Sequence, residues 1–241
     1  MSVYLYLVDG LLIDTGPSNL KESTAFFKES LINQVALTHV HEDHSGMAAW
    51  LQDQKKVPIY LSSISIEEAN KKAKIPFYRQ LIWGKRLAFE PEVYKKKVTT
   101  EKYSFDVLPT PGHATDHVAL FEKNEGWLFT GDLYLGKRPI VCMREENMPE
   151  TISSLETLSK LDFDTMFCSH SGIHHGNGKE KIIERLDAFI ELREKTEELH
   201  KQGLTAKQID KKLYPHKQLV TYVSRGEWSS FNIINSLIKD K

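Results

Sequence analysis

Residues 38–44 read THVHEDH, three imidazoles and two carboxylates in seven positions, directly after the short apolar run QVALT at 34–38. No other stretch constrains the fold as much. An apolar run of this length predicts a buried strand, and its end delivers the histidines together. Side chains two apart on extended backbone share a face, so His39 and His41 point one way. Asp43 and His44, at the turn into a helix, face another. One short loop can thus serve two cations with separate ligand pairs. Histidine clusters also arise as surface decoration, so partners far away in sequence must complete the set.

Three candidates stand in order along the chain. His113 closes PTPGH after an expected strand ending at Leu108, Asp132 closes FTGD after a strand over 126–130, and His170 closes FCSH after a strand over 165–169. Each falls just past a strand end, where loops on a rigid scaffold carry function. Five histidines and two aspartates suit two cations. Three imidazoles would hold one, an imidazole pair with a carboxylate the other, and a carboxylate would bridge. Such nitrogen and oxygen donors suit zinc, with iron and manganese open.

The remaining pattern is mixed α and β to about residue 175, then helical. Strands are expected at 3–8, 11–14, 57–61, 103–108 and 117–122, and helices at 20–31, 45–51, 65–74 and 149–161. The first two strands meet at Asp9-Gly10, a two-residue hairpin signal. A charged helix spans 179–201; a glycine stop at Gly203 and a cap at Thr205 open a second, and 231–238 reads as a third. The chain has 241 residues, 40% hydrophobic and 27% charged, enough for one sizeable domain. Its net charge of −1 gives no global field toward nucleic acid or an anionic membrane. No apolar run reaches about 18 residues, which argues against a spanning helix. The start MSVYLYLVDGLLIDTG lacks a basic leader and reads as a strand pair rather than a secretion signal. Cys142 and Cys168 are too few for a disulfide scaffold, and Cys168 reads as a buried thiol. A soluble, reduced, cytoplasmic protein is expected.

Together with IDTG at 13–16, PGH at 111–113, GD at 131–132 and His170, THVHEDH resembles the motifs of the metallo-β-lactamase-fold (β-lactamase-like) metal-dependent hydrolases. The resemblance spans residues 13–170 and is far more specific for fold than for substrate. It implies an α/β fold, a four-layer αββα sandwich with a dinuclear centre at one edge. Residues 1–178 would form the catalytic domain, and 179–241 a C-terminal helical extension packed on it. It also implies His39, His41 and His113 on one metal, Asp43, His44 and His170 on the second, and Asp132 bridging. Asp14 would support a ligand without touching metal, or simply cap its turn; His117 has a similar supporting or structural role. Two departures are plain: the last motif reads Cys-Ser-His-Ser-Gly rather than the common Pro-Gly-His-Gly, and the N-terminal strands are short.

Two cations about 3.5–4 Å apart can share a water, lower its pKa from 15.7 to about 7 and yield a hydroxide nucleophile. Asp43 would orient it. The expected activity is hydrolysis of a small ester, thioester or lactone, since the ligand set resembles hydroxyacylglutathione hydrolases and lactonases. The alternatives are a nuclease or phosphodiesterase on single-stranded nucleic acid and a non-catalytic, metal-stabilised protein. The tail resembles that of a β-lactamase-like subgroup, and Lys207, Lys211, Lys212 and Lys217 could touch phosphates or form a solvated face. The aromatic segment 75–94 reads as a lid insertion, with Trp83 and Phe89 as an apolar substrate wall, or as an extra helix on the core. Tyr134 could donate to a carbonyl or leaving oxygen, or pack. His174 and His175 read as an exposed loop. Oligomeric state is open, a homodimer included.

Overall fold

A computed structural model describes residues 2–19 and 23–239. The chain begins with β1 (Tyr6–Val8) and β2 (Leu11–Ile13), antiparallel, with Val8 facing Leu11. Asp9 and Gly10 between them both have positive φ, 48° and 78°, the mirror-image turn that follows the right-handed twist of paired strands. Then come α1 (Ser23–Glu29), β3 (Gln34–Ala36), α2 (Glu42–Ser45), α3 (Ala48–Lys55) and β4 (Ile59–Leu61). The expected helix at 20–31 begins outside the described residues and ends at Glu29. The expected helix at 65–74 is shorter: one 3₁₀ turn and α4 (Ile66–Ala69) precede α5 (Phe77–Trp83) and β5 (Glu92–Val93).

β6 (Lys97–Thr99), β7 (Ser104–Pro109), β8 (Val118–Glu122) and β9 (Trp127–Gly131) follow as an antiparallel run, then β10 (Cys142–Met143) and α6 (Met148–Ser159). β11 (Thr165–Cys168) pairs parallel with β9, and β12 (Gly172–His174) closes that edge. Helices α7 (Gly178–Lys201), α8 (Ala206–Leu213) and α9 (Leu219–Val223), strand β13 (Trp228–Ser229) and α10 (Ser230–Lys239) complete the chain.

The strands form two sheets of order β1-β2-β3-β4-β5 and β12-β11-β9-β8-β7-β6, plus a small β10-β13 ribbon. Strand alternation creates the layers. Leu11, Ile13 and Ala36 face inward and meet Phe105, Leu120 and Phe129 of the other sheet. Leu12 and Val35, one residue out of phase, point outward under α1, α3 and α4 with Phe27 and Leu51. On the far side, Ala119, Phe121 and Leu128 are covered by Leu155 of α6, Ile182 and Phe189 of α7 and Ile233 of α10. This is the αββα sandwich, with the C-terminal helices sharing the second sheet's outer core. α8 adds Ile209 against Leu199 and Ile234. No helix among the described residues is long and apolar enough to cross a membrane.

Candidate metal centre

Strands β2, β3, β9 and β11 all release their chains toward one edge of the sandwich. β3 ends at Ala36, and the extended chain carries His39 and His41 to a common side before α2 starts at Glu42. Ser45 Oγ donates to the carbonyls of Val40 (2.7 Å) and His41 (2.9 Å), which folds the motif back on itself and sets Asp43 and His44 in the first turn of α2. Two glycines make the other approaches possible. Gly112 has φ 136°, and a Cβ there would lie 2.5 Å from Thr151 N, so the turn bearing His113 packs directly on α6. Gly131 has φ 48°, and a Cβ would stand 2.6 Å from His117 Nε2. Only glycine brings that strand end close enough to aim Asp132 inward.

The seven candidate ligands converge in two groups, His39 with His41 and His113, and Asp43 with His44, Asp132 and His170. In the first, His41 Nδ1 lies 3.0 Å from His39 Nε2 and 3.1 Å from His113 Nε2. In the second, His170 Nε2 lies 3.2 Å from Asp132 Oδ2 and 3.4 Å from Asp43 Oδ2, and His44 Nε2 lies 3.2 Å from Asp132 Oδ1. Asp132 joins the groups, because its Oδ2 is also 3.5 Å from His113 Nε2.

These residues fit divalent cations. Three imidazole nitrogens that close cannot all satisfy one another with protons, whereas ligands at about 2.0–2.1 Å from a tetrahedral ion stand roughly 3.3 Å apart. His44 Nε2 and Asp132 Oδ1 are buried with no hydrogen-bond partner among the described residues, and orphaned buried polar atoms call for an absent ion or water. Burial, then the cationic character of neighbouring histidines, holds His39 and His41 well below their usual pKa, leaving their inner nitrogens free to bind. The second group is charged differently. Burial opposes charge there, but Asp132 first, then Asp14 and Asp43, raise His44 well above its usual value, and Asp132 with Asp43 raises His170 to about 10. Against burial, His44 and His170 in turn hold the Asp132 carboxyl well below the ordinary range. A cation would take the place of these protons.

The outer nitrogen of three candidate ligands is held by a named partner. His39 Nδ1 meets Thr38 Oγ1 at 3.0 Å, His44 Nδ1 meets Asp14 Oδ2 at 2.8 Å, and His170 Nδ1 meets the Ser2 carbonyl at 2.7 Å, while His113 Nδ1 faces a Glu146 oxygen at 3.3 Å without a hydrogen bond. Such partners fix the tautomer and raise ligand basicity. Asp14 also accepts from the Thr38 amide at 2.8 Å, tying β2 to the start of the motif. It sits at φ 59°, a conformation asparagine adopts as readily. Asp14→Asn should therefore keep the backbone and weaken metal affinity about 10–100-fold; competition against a chelator measures this, and unchanged affinity would refute the supporting role. His117 Nδ1 meets Thr110 Oγ1 at 2.8 Å, and its Nε2 accepts from the Asp132 amide at 3.2 Å. It props the strand end that carries Asp132 and stays out of both groups.

The residues read as substrate contacts divide. Trp83, at the end of α5, lines the cleft with its ring centroid 6.4 Å from that of His170. Phe89 does not reach it. It is 3% exposed in the outer core of the first sheet, packed under the Arg86 guanidinium, because residues beyond Gly84 turn back to pair β5 with β4. Tyr134 is not among the residues lining the cleft: its ring packs edge-on against His174 and beneath Arg185. His175 meets Thr165 Oγ1 at 2.9 Å, away from both groups. Cys142 and Cys168 are free and buried, and Cys168 Sγ donates to the Tyr134 carbonyl at 2.6 Å. Lys217 pairs with Asp210 at 2.6 Å, while Lys207, Lys211 and Lys212 form an exposed face of α8.

Arg79 went unnoticed in the sequence. It is buried beside the cleft, gripping both oxygens of Glu42 at 2.6 and 2.7 Å and Glu227 at 3.1 Å. Glu42 lies inside the motif, flanked by ligands, and that was the only available signal. Leu135, Met143 and Trp228, three further cleft residues, arrive from distant segments with no motif of their own.

The family profile of the metallo-beta-lactamase superfamily matches residues 2–170, and the chain belongs to that superfamily. It is 26% identical over 197 residues to the Beta-lactamase-like protein 2 homolog of Caenorhabditis elegans, covering 78% of this chain and 59% of the nematode protein. It is 28% identical to the probable metallo-hydrolase YqjP of Bacillus subtilis (strain 168), covering 88% of this chain and 81% of that protein. A metallo-beta-lactamase family protein from Thermus thermophilus shares the fold with a TM-score of 0.69 at 18% identity, over 98% of this chain and 85% of that one. The chain spans about three fifths of the length of the nematode protein and of its Drosophila melanogaster counterpart.

Proposed function

We propose that the protein is a dinuclear metal-dependent hydrolase of small esters, thioesters or lactones. The observation that carries this reading is the placement of Asp132, whose carboxylate reaches histidines of both ligand groups. His39, His41 and His113 would hold one cation, Asp43, His44 and His170 the other, with Asp132 between them. When bound, two such cations polarise an acyl oxygen and lower the pKa of a shared water toward 7. Zinc is the favoured ion for this donor set, with iron and manganese as alternatives. The relative named as a probable metallo-hydrolase is consistent with this class.

The protein's own groups supply the rest. Asp43 borders the cleft and would orient the attacking water. Trp83, Leu135, Met143 and Trp228 close the space above the ligands to about 30 Å³, which excludes bulk water and bulky chains. An adjoining chamber of about 210 Å³, reached past His113 and Asp132 and lined by Ile140, Met148 and Phe189, is suited to an aliphatic acyl group. The confined cleft favours a small acyl substrate over a nucleic acid strand. Two buried thiols with no disulfide fit a cytoplasmic protein.

Elemental analysis of protein purified without chelator should find about two divalent ions per chain, and one or none would sink the dinuclear reading. Parallel assays on a thioester, a lactone and bis-p-nitrophenyl phosphate should show turnover of the acyl compounds. Turnover of the phosphodiester alone would replace this reading with the nuclease.

A further inference from the structure

The chamber beside the candidate ligands contains a buried cation that makes no ion pair or hydrogen bond with a carboxylate among the described residues. Arg185 of α7 is 5% exposed and lines the same cavity as His113 and Asp132. Its Nη1 donates to the Gly136 carbonyl, and its Nε has no partner among the described residues. The guanidinium carbon stands 4.7 Å from the ring centroid of Phe189 and 5.8 Å from that of Tyr134. Ring faces and one carbonyl attract a cation but do not neutralise it. Burial pulls the guanidinium down to about 10, so it remains protonated at neutral pH.

The other two buried arginines behave differently. Arg79 holds Glu42 and Glu227, and Arg86 holds Glu68 at 3.5 Å together with three carbonyls. The chamber has its own carboxylate, Glu146, but one oxygen accepts from the Met143 amide at 2.7 Å and the other faces His113 at 3.3 Å. Glu146 and Asp132 share the chamber but neither pairs directly with Arg185, which is left without an ion-pair partner in a largely apolar space. A lone buried charge is costly, and proteins retain such groups where a ligand supplies the counter-charge.

We propose that Arg185 recognises the substrate: the acyl portion carries a terminal carboxylate that enters the chamber and pairs with this guanidinium. This rests on the hydrolase reading and narrows it to half-esters or half-thioesters of dicarboxylic acids. A carboxylate is favoured over a phosphate because one cation balances one negative charge, and the apolar walls suit the methylene spacer between the two ends. The planar guanidinium fork matches a carboxylate in two parallel hydrogen bonds.

Mono-p-nitrophenyl adipate and p-nitrophenyl hexanoate share an acyl length and differ in the terminal carboxylate. On metal-loaded protein the adipate ester is expected to have at least tenfold higher kcat/KM, and Arg185→Met to bring the ratio to about one. Arg185→Lys keeps the charge without the fork and should fall between; it also covers a methionine variant that fails to fold. Equal kcat/KM for the two esters in the wild type, or a ratio preserved in the variants, overturns the assignment and leaves the hydrolase reading standing. Binding reads the same contact without turnover. Monomethyl adipate should quench tryptophan fluorescence, with Trp228 in the chamber wall, at least tenfold more tightly than dimethyl adipate. Loss of that binding in the Arg185 variants upholds the site even if no ester is hydrolysed. Binding untouched by them places the carboxylate on the metals and overturns it.

Discussion

Asp132→Ala is expected to leave fewer than two metal ions per chain and to lower hydrolytic kcat/KM about a thousandfold or more. The magnitude follows from the several kcal/mol of charge stabilisation that a paired metal centre supplies. Among the described residues, Asp132 is the one whose carboxylate pairs with histidines of both groups, at 3.2 Å from His44 and His170 and 3.5 Å from His113. On the proposed dinuclear reading its removal would take one ligand from each cation at once, whereas Asp43→Ala would strip only the second. The fold should survive. The Asp132 amide still donates to His117, and the carboxylate itself anchors nothing outside the centre. Circular dichroism should match the wild type while elemental analysis records the lost ions. Two retained ions, or activity within threefold of the wild type, would remove Asp132 from the bridging position.

Arg79→Met should be the most destabilising single change near the site, by about 3–5 kcal/mol, the usual effect of removing one partner of a buried ion pair. Glu42 is 2% exposed and both its oxygens rest on Arg79; without the guanidinium its buried carboxyl loses both hydrogen-bond partners. The link also spans three separate segments, α2 through Glu42, α5 through Arg79 and the approach to β13 through Glu227. At about 2–4 °C per kcal/mol for a chain of this size, the melting temperature should fall by roughly 10 °C. The double variant Arg79→Met/Glu42→Leu, which removes both charges, should recover most of the loss, since apolar replacement of a whole buried pair is often close to neutral. A single variant that melts with the wild type would show that the Arg79–Glu42 pair adds no net stability.

The parts of the site that could be read along the chain are those with short-range periodicity behind them. His39 and His41 share a face because extended backbone alternates, and His113, Asp132 and His170 each follow a recognisable strand end. The Asp9-Gly10 turn is written in two residues whose φ values only that pair tolerates easily. The sequence leaves the placement of Phe89 and Tyr134 open for one shared reason: aromatic character and position along the chain do not say which face of a returning segment a ring will take. Phe89 turned inward because β5, a two-residue strand too short to announce itself, pairs with β4. Tyr134 turned away because Arg185, fifty-one positions later, offers a cation beneath its ring.

Local order in the chain therefore determined the ligand identities, the strand ends that carry them and the layered fold, since alternation and glycine-bearing turns act over a few residues. The tertiary structure alone decided the surroundings of that chemistry. Arg79 finds Glu227 across 148 positions, and Arg185 reaches the chamber with its Nε left without a hydrogen-bond partner among the described residues. Charge pairing and desolvation depend on which segments the packed layers bring within a few ångströms of one another, and no local pattern encodes that distance.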